Sequence, residues 1–253
     1  MNILGIDVGG SGIKGATVDC VAGRLQVERH KVLTPQPATP AAVAAVLAEV
    51  AGHFEGFNRV GVAVPAVVKQ GVTHTAANID PAWIGCDAAG LLRSALGLPV
   101  AVLNDADAAG LAEMRFGAGR DQRGTVVLLT LGTGIGSAVF VDGVLVPNTE
   151  FGHMDIRGKE AEHRAAGQVR KAEDLSWPRW SERLSEVLQA MEALLWPDLF
   201  IIGGGVSRKH DKFIPLLECR TPVAPAALGN DAGIVGAALA AGAVKTLPDE
   251  ARF

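Results

Sequence analysis

Short apolar runs alternate along this chain with amphipathic stretches, and glycines punctuate them. Asn2–Asp7 is an apolar run ending in a carboxylate, and Ile13–Val18 alternates weakly after Gly9-Gly10-Ser11-Gly12. The N-terminal segment therefore predicts strand, glycine turn, strand. Leu25–Leu33 predicts a third strand at the sheet edge. Thr39-Pro40 has the form of a helix start, since a Thr hydroxyl accepts from an early N–H and Pro lacks a donor the first turn would leave unpaired. Val43, Val46, Leu47, Val50 and Phe54 then share one helical face. Arg59–Val64 reads as a buried strand closed by Pro65, Ala88–Leu96 as a helix and Pro99–Leu103 as a strand. Ala106–Phe116 is Ala-rich and favours helix. Thr125–Leu131 and Ile135–Val141 form a second strand–turn–strand. Ser181–Leu195 carries Leu184, Val187, Leu188, Met191, Leu194 and Leu195 on one side. Leu199–Ile202 is a strand that runs into Gly203-Gly204-Gly205, and Asp231–Ala241 is a closing small-residue helix. Strands alternating with helices predict an α/β architecture with largely covered sheets.

Gly10-Ser11-Gly12-Ile13 is echoed 122 positions later by Gly132-Thr133-Gly134-Ile135, and each set stands between two strands. With 31 glycines in the chain, chance is one source of such an echo. The other is a duplicated α/β domain whose two hairpins face each other across a cleft. The corresponding domains are residues 1–105 with 231–253, and residues 106–230, joined by the Ala106–Phe116 helix because no Pro/Gly/Ser-rich linker marks a boundary.

Composition changes the picture mainly by exclusion. Apolar residues make up 49% and charged residues 20%, enough apolar surface to offset chain entropy and exclude intrinsic disorder. A net charge of −4 argues against a nucleic-acid partner. The N-terminal segment lacks the basic run and long apolar stretch of a secretory signal. Gly124–Val141 is uncharged and nominally long enough to cross a bilayer, but its four glycines and interleaved threonines fit two buried strands around a turn. Cys20, Cys86 and Cys219 are an odd set without C-x-x-C spacing, which suits a reducing compartment. The expected location is the cytoplasm, with no membrane partner.

Several segments carry candidate chemistry. In Asp7-Val8-Gly9-Gly10-Ser11-Gly12-Ile13-Lys14, successive backbone N–H groups of a glycine turn can form a concave nest for an anion. Ser11 adds a hydroxyl, Lys14 a point charge, and Asp7 could hold Mg²⁺ through water. This is neither a Walker motif nor a dinucleotide fingerprint, because a strand follows rather than a helix. An ordinary hairpin with a glycine bulge accounts for it equally well. Leu131-Gly132-Thr133-Gly134-Ile135-Gly136 is the second such turn. Two facing donor-rich turns suit a transferring phosphoryl group, whose catalysis is mostly positioning and electrostatic stabilisation. Gly203-Gly204-Gly205 is either a third place of close approach or a strand-to-helix turn. Asn104-Asp105 stands at the carboxyl end of a strand, where α/β folds place ligands. A carboxylate there can take the proton of a hydroxyl attacking phosphorus, or it can cap the following helix, and Asp107 competes for either role. Glu150 and His153, three residues apart, suit a polyol, though such a pair is also common at a surface.

Taken in order, Asp7-x-Gly-Gly-x-x-Ile-Lys14, Asn104-Asp105, Leu-Gly-Thr-Gly-Ile-Gly136, Glu150-x-Gly-His153 and Gly203-Gly-Gly-Val206 resemble the ROK sugar kinases over nearly the whole chain. The resemblance implies duplicated actin/hexokinase-like, that is ribonuclease H-like, domains. Within that family the chain resembles the bacterial polyphosphate glucokinases and polyphosphate/ATP glucomannokinases, on Thr75-Ala-Ala-Asn78-Ile-Asp-x-x-Trp83, Asn104-Asp-Ala-Asp107-Ala-Ala-Gly-x-Ala-Glu113 and Val146-Pro-Asn-Thr-Glu150. It implies that Asp105 is the general base on the 6-hydroxyl of glucose. It implies that Asn78, Asn104, Glu150, His153 and Glu162 bind other sugar hydroxyls. Asp7, Gly9, Gly10, Ser11, Gly12 and Lys14, with Gly132, Thr133 and Gly134, would hold phosphate, and Gly203, Gly204 and Gly205 would line the donor site. The donor is polyphosphate, with ATP as a second possibility, and Mg²⁺ is the cofactor. Domain closure over the sugar would exclude water as a competing acceptor. Related enzymes are often homodimers, which sets the expected oligomeric state. The chain departs from the family at Pro65-Ala66, where Pro-Gly is usual, and at Ala166, where Ser is common. Residues 154–171 hold no Cys, so no zinc is expected and His153 loses a metal-ligand role.

Arg157, Lys159, Arg164, Arg170 and Lys171 leave residues 157–171 at +3 on a chain that is otherwise −7. Such a segment could attract a long polyanion, with Lys159 and Arg164 as its first test, or it is a solvated face. Arg208, Lys209 and Lys212 form a second basic set. Trp83, Trp177, Trp180 and Trp196 are expected to pack rather than to stack on ligand. Two other readings stand beside the polyphosphate glucokinase. One is an ATP-dependent ROK kinase for hexose, mannose or an amino sugar. The other is a sugar-responsive regulator, which is expected to carry a helix-turn-helix ahead of the first strand; that strand begins at Asn2.

Overall fold

The computed structural model describes residues 2–243, so the part of the expected first domain beyond 243 lies outside the described residues. The chain divides into two units, one taking residues up to 103 and from 234 onward, the other residues 104–233.

In the first unit the chain runs β1 (Asn2–Gly9), β2 (Gly12–Asp19), β3 (Arg24–Leu25), β4 (His30–Val32), α1 (Pro40–Gly52), β5 (Val60–Val64), β6 (Val68–Lys69), β7 (Val72–Thr73), α2 (Ala88–Leu96) and β8 (Val100–Asn104). The sheet order is β3-β2-β1-β5-β8, with β4 also on β2. β1 pairs antiparallel with β2 and parallel with β5. Helix α1 starts as its sequence dictates, with the Thr39 hydroxyl accepting the Ala42 N–H at 3.3 Å. Its Val43, Leu47 and Val50 pack in one core with Leu4, Ile6 and Val8 of β1 and Leu92 of α2. Each such buried aliphatic side chain contributes about 1.5–3 kcal/mol.

The expected single strand over 25–33 is instead two short ones. Leu25 faces Val18 on β2, whereas His30 faces Gly15. Four residues of one strand thus stand opposite two of the other, and the surplus breaks the ladder into β3 and β4.

The second unit runs α3 (Asp105–Phe116), β9 (Thr125–Leu131), β10 (Ile135–Val141), β11 (Val144–Val146), β12 (Asp155–Ile156), β13 (Lys159–Glu160), α4 (Ala161–Ala165), α5 (Gly167–Ala172), α6 (Trp177–Leu195), β14 (Leu199–Gly203) and β15 (Val223–Pro225). Its sheet order is β11-β10-β9-β14-β15. β9 pairs antiparallel with β10 and parallel with β14. The two sheets therefore share one plan: a central first strand with its hairpin partner on one side and a parallel strand on the other. The glycine echo read from the sequence is a repeat of topology. β9 carries an unbroken apolar run from Val126 to Leu129 because both its faces are covered. Val127 and Leu129 pack with Leu184, Val187, Leu188 and Met191 of α6, while Val126 and Leu128 pack with Phe140 and the Ala109, Leu111 and Met114 side of α3.

Helix α6 begins at Trp177, ahead of the amphipathic stretch that starts at Ser181, because Ser176 caps it and Pro178 fits a first turn that needs no donor there. Trp83 and Trp180 are fully buried, and each indole N–H donates to a backbone carbonyl, at Ala38 and Ala165 respectively. The closing helix, Ala232–Ala243, belongs with the first unit.

Candidate active site

The first glycine turn is a two-residue loop, Gly10-Ser11, closing a hairpin in which Gly9 faces Gly12. Both loop residues are exposed. Asp7 and Lys14 are cross-strand partners just behind it, with Lys14 Nζ 3.6 Å from Asp7 Oδ2. Burial raises the Asp7 carboxyl above its ordinary range, opposed by the Lys14 charge and by Arg29. The loop is tied down from the side by the Thr34 hydroxyl, which donates to Gly9 O at 2.5 Å. Asn78 stands here too, in a left-handed conformation at φ 60°, 3.5 Å from the place a Gly10 Cβ would take. Of the expected sugar ligands, Asn78 alone lies in the first unit.

The second turn holds three residues, Gly132-Thr133-Gly134, between Leu131 and its partner Ile135. It folds on itself through Gly132 N–H donating to Gly134 O at 3.0 Å, and Gln168 N–H donates to Gly132 O at 2.9 Å. Gly132 and Thr133 line a cavity of about 1140 Å³ with Gln168, Arg170, Lys171, Trp177, Gly205, Val206, Arg208, Lys209 and Lys212. Five of its lining residues are cationic and none is acidic. Arg170 stacks over Trp177 at 4.1 Å, and Trp177 in turn stacks on Phe213.

Of the triple glycine, Gly205 faces this cavity. Gly203 ends the buried strand β14. Gly204 sits at φ 77° with Leu131 backbone atoms 2.6 Å from where its Cβ would be, so any side chain would drive apart the turn and the strand end. The basic segment 157–171 does not act as one patch. Arg157 and Arg164 both pair with Glu186, and Arg164 is largely buried. Only Arg170 and Lys171 of that segment reach the cavity, where they meet Arg208, Lys209 and Lys212.

Helix α3 begins at the carboxyl end of β8. The side chain of Asn104 is its cap, accepting N–H from Ala106 at 2.8 Å and Asp107 at 3.1 Å. Asn104 is the cap residue, and Asp105 occupies the first helical position, partly exposed, at the positive end of the helix dipole, with its own Oδ1 also accepting the Ala106 N–H at 2.8 Å. Asp107 is 2% exposed. Burial and the nearby Glu150 charge push its carboxyl up to about 6, against the pull of the Asn148 N–H.

Glu150, His153 and Glu162 come together in the second unit. His153 Nε2 lies 3.9 Å from Glu150 Oε2, and its Nδ1 lies 3.4 Å from Glu160. Glu162 accepts the Ile135 N–H at 3.3 Å, beside the second turn. Burial raises the Glu150 carboxyl, Glu162 raises it further, and His153 opposes both. Glu160 was not singled out in the sequence, yet it stands 3.4 Å from both His153 and His163. His153, Glu160 and Glu162 offer atoms within 4.8 Å of one another, the group among the described residues with metal-ligand spacing. Asp7 is the carboxylate beside the first turn. Among the described residues no helix is long and apolar enough to cross a membrane.

The family model described as "ROK family" matches residues 3–173. The chain is 59% identical to the polyphosphate glucokinase of Mycobacterium tuberculosis (strain ATCC 25618 / H37Rv), over 94% of this chain and 90% of that protein. To the polyphosphate glucokinase of Mycobacterium leprae (strain TN) it is 56% identical, over 94% and 74%. Among solved structures it is similar to the inorganic polyphosphate/ATP-glucomannokinase from Arthrobacter sp. strain KM, with a TM-score of 0.92 and 48% identity over 95% of this chain and 98% of that one. It is also similar to a ROK family glucokinase from Streptomyces griseus in complex with glucose and AMPPNP, with a TM-score of 0.82 and 25% identity over 96% and 99%.

Proposed function

The chain belongs to the ROK family, and from that premise we propose that it is a polyphosphate-dependent glucokinase, moving the terminal phosphoryl group of inorganic polyphosphate to the 6-hydroxyl of glucose. The observation that carries the donor is the cavity beside the second glycine turn, lined by Arg170, Lys171, Arg208, Lys209 and Lys212 without a carboxylate. A low-dielectric recess with cations of one sign concentrates a polyanion. ATP serves as a second donor in the same recess, whose volume suits a nucleotide.

In this reading Asp105 takes the proton of the sugar hydroxyl as its oxygen bonds to the terminal phosphorus. The bridging P–O bond breaks, and the shortened polyphosphate leaves with the electron pair. Asn104, Glu150, His153 and Glu162, with Asn78, bind the remaining hydroxyls. Glu150 is suited to that task because its partly buried carboxylate stands beside His153 and offers acceptor oxygens to hydroxyls. The N–H groups of the two glycine turns hold phosphate oxygens, with Lys14 adding charge. Mg²⁺ would be held beside the first turn through water by the Asp7 carboxylate, which is otherwise paired with Lys14 at 3.6 Å. When bound, the ion neutralises phosphate charge. Its three cysteines, none of them in a disulfide among the described residues, suit the reducing cytoplasm as its place of work, and the family likeness suits a homodimer.

Initial rates of glucose 6-phosphate formation with polyphosphate and ATP side by side test the donor. Polyphosphate is expected to support turnover; none with polyphosphate, alongside turnover with ATP, would leave an ATP-dependent hexose kinase. Lys209→Glu with Lys212→Glu is expected to raise KM for polyphosphate about tenfold or more. Lys159→Glu, outside the cavity, is expected to change it by less than about twofold.

A further inference from the structure

Asp107 is a buried carboxylate that the reaction as described does not use. It stands three residues after the Asn104 cap, where a helix-opening carboxylate commonly turns back on its own cap. Here it turns away. Its Oδ2 accepts the backbone N–H of Asn148 at 2.8 Å, 41 residues along the chain. Asn148 sits at φ 60°, in the left-handed region, which Asn enters more readily than most side chains. The next residues are held by Ser137. Its hydroxyl donates to Thr149 O at 2.7 Å and accepts the Phe151 N–H at 3.0 Å, and the Thr149 hydroxyl donates to Ser137 O. Glu150 is thus strung between two anchors, Asp107 on α3 and Ser137 on β10. The other Asp107 oxygen, Oδ1, is buried and accepts no hydrogen bond among the described residues. A half-satisfied buried carboxylate costs stability, and such costs gather where function needs them.

We propose that Asp107 is a positioning residue of the sugar site: by clamping Asn148 it fixes the loop that presents Glu150, on the same helical turn that presents Asp105. This rests on the reading of Glu150 as a sugar ligand. Asp107 itself need not touch the sugar.

The test compares Asp107→Ala and Asp107→Asn with the wild type by steady-state kinetics and by hydrogen exchange of the 146–151 backbone. The Ala variant loses the acceptor; the Asn variant keeps an oxygen for the Asn148 N–H. The Ala variant is expected to raise KM for glucose about tenfold while kcat falls less and KM for polyphosphate holds. It is expected to speed exchange of the Asn148 amide about tenfold or more. The Asn variant is expected to restore most of both. A folded Ala variant with wild-type KM for glucose and wild-type exchange would overturn the proposal, as would an Asn variant as impaired as Ala. If the wild type fails to phosphorylate glucose, the sugar-kinase reading falls instead, and the exchange of Asn148 still decides whether Asp107 holds the loop.

Discussion

Gly5 and Gly61 are paired across strands β1 and β5, and a Cβ on either would fall inside the backbone of the closing helix, at Ile234 O and Ala237 O respectively. Two glycines in register, facing carbonyls one turn apart on the helix, bring its backbone directly onto the first sheet. Gly61→Ala leaves nothing flexible to yield, since the obstructing atoms are main chain. It is expected to destabilise the protein by about 3 kcal/mol or more, read as a lower urea midpoint. A variant as stable as the wild type would mean that the helix does not seat there.

Glu113 is a second long-range latch. Its carboxylate, itself fully buried, accepts N–H groups from Ala118 at 2.9 Å, Ala227 at 3.0 Å and Leu228 at 2.7 Å. Glu113→Gln puts a donor inside the protein where an acceptor is required and leaves at least one N–H without its partner. The expected cost is about 2–3 kcal/mol, measured by chemical denaturation. A loss under about 0.5 kcal/mol would count against the latch.

Asp105 stands at the first position of α3 while Asn104 does the capping. Asp105→Asn should therefore leave the fold and the binding of glucose intact while lowering kcat by about 100-fold to 10,000-fold. Glucose binding by calorimetry and turnover by coupled assay separate the two effects. Retained turnover would remove Asp105 from the role of base.

Asp107 makes stability fall with rising pH. Its folded-state pKa of about 6 lies above the ordinary 3.8, so the folded protein keeps a proton that the unfolded chain has already released. The contribution is complete below about 3.8 and is lost as pH climbs through about 6, up to about 3 kcal/mol in total. Asp107→Asn removes this dependence. Its Tm is expected to exceed that of the wild type at pH 7.5 and to approach it near pH 4, which a melting series across pH would check. A Tm difference independent of pH would contradict the assignment.

What the sequence determined by itself was whatever local chemistry decides. Thr39 and Pro40 mark a helix start because the cap and the missing donor act within one turn. The two glycine hairpins, the apolar run of β9 and the face of α6 were legible because period and turn chemistry belong to neighbouring residues. Ordered motifs such as Asn104-Asp105 and Glu150-x-Gly-His153 carried the resemblance to the ROK sugar kinases, which is what implied sugar phosphorylation.

Tertiary structure alone decided which distant groups meet. The two-residue surplus between β3 and β4 depends on register against β2, not on the propensity of 26–29. Helices α4 and α5 are too short to show a face. Arg164 looked like a free cation until Glu186 met it, while Arg170 and Lys171 proved to share one cavity with Arg208, Lys209 and Lys212. Asp107 looked like a second cap or base until the fold carried Asn148 to it. The physical reason is common to all of these: a charge or a hydrogen-bonding group takes its role from its partner and its solvent exposure. For side chains separated by tens of residues, both exist only once the chain has folded.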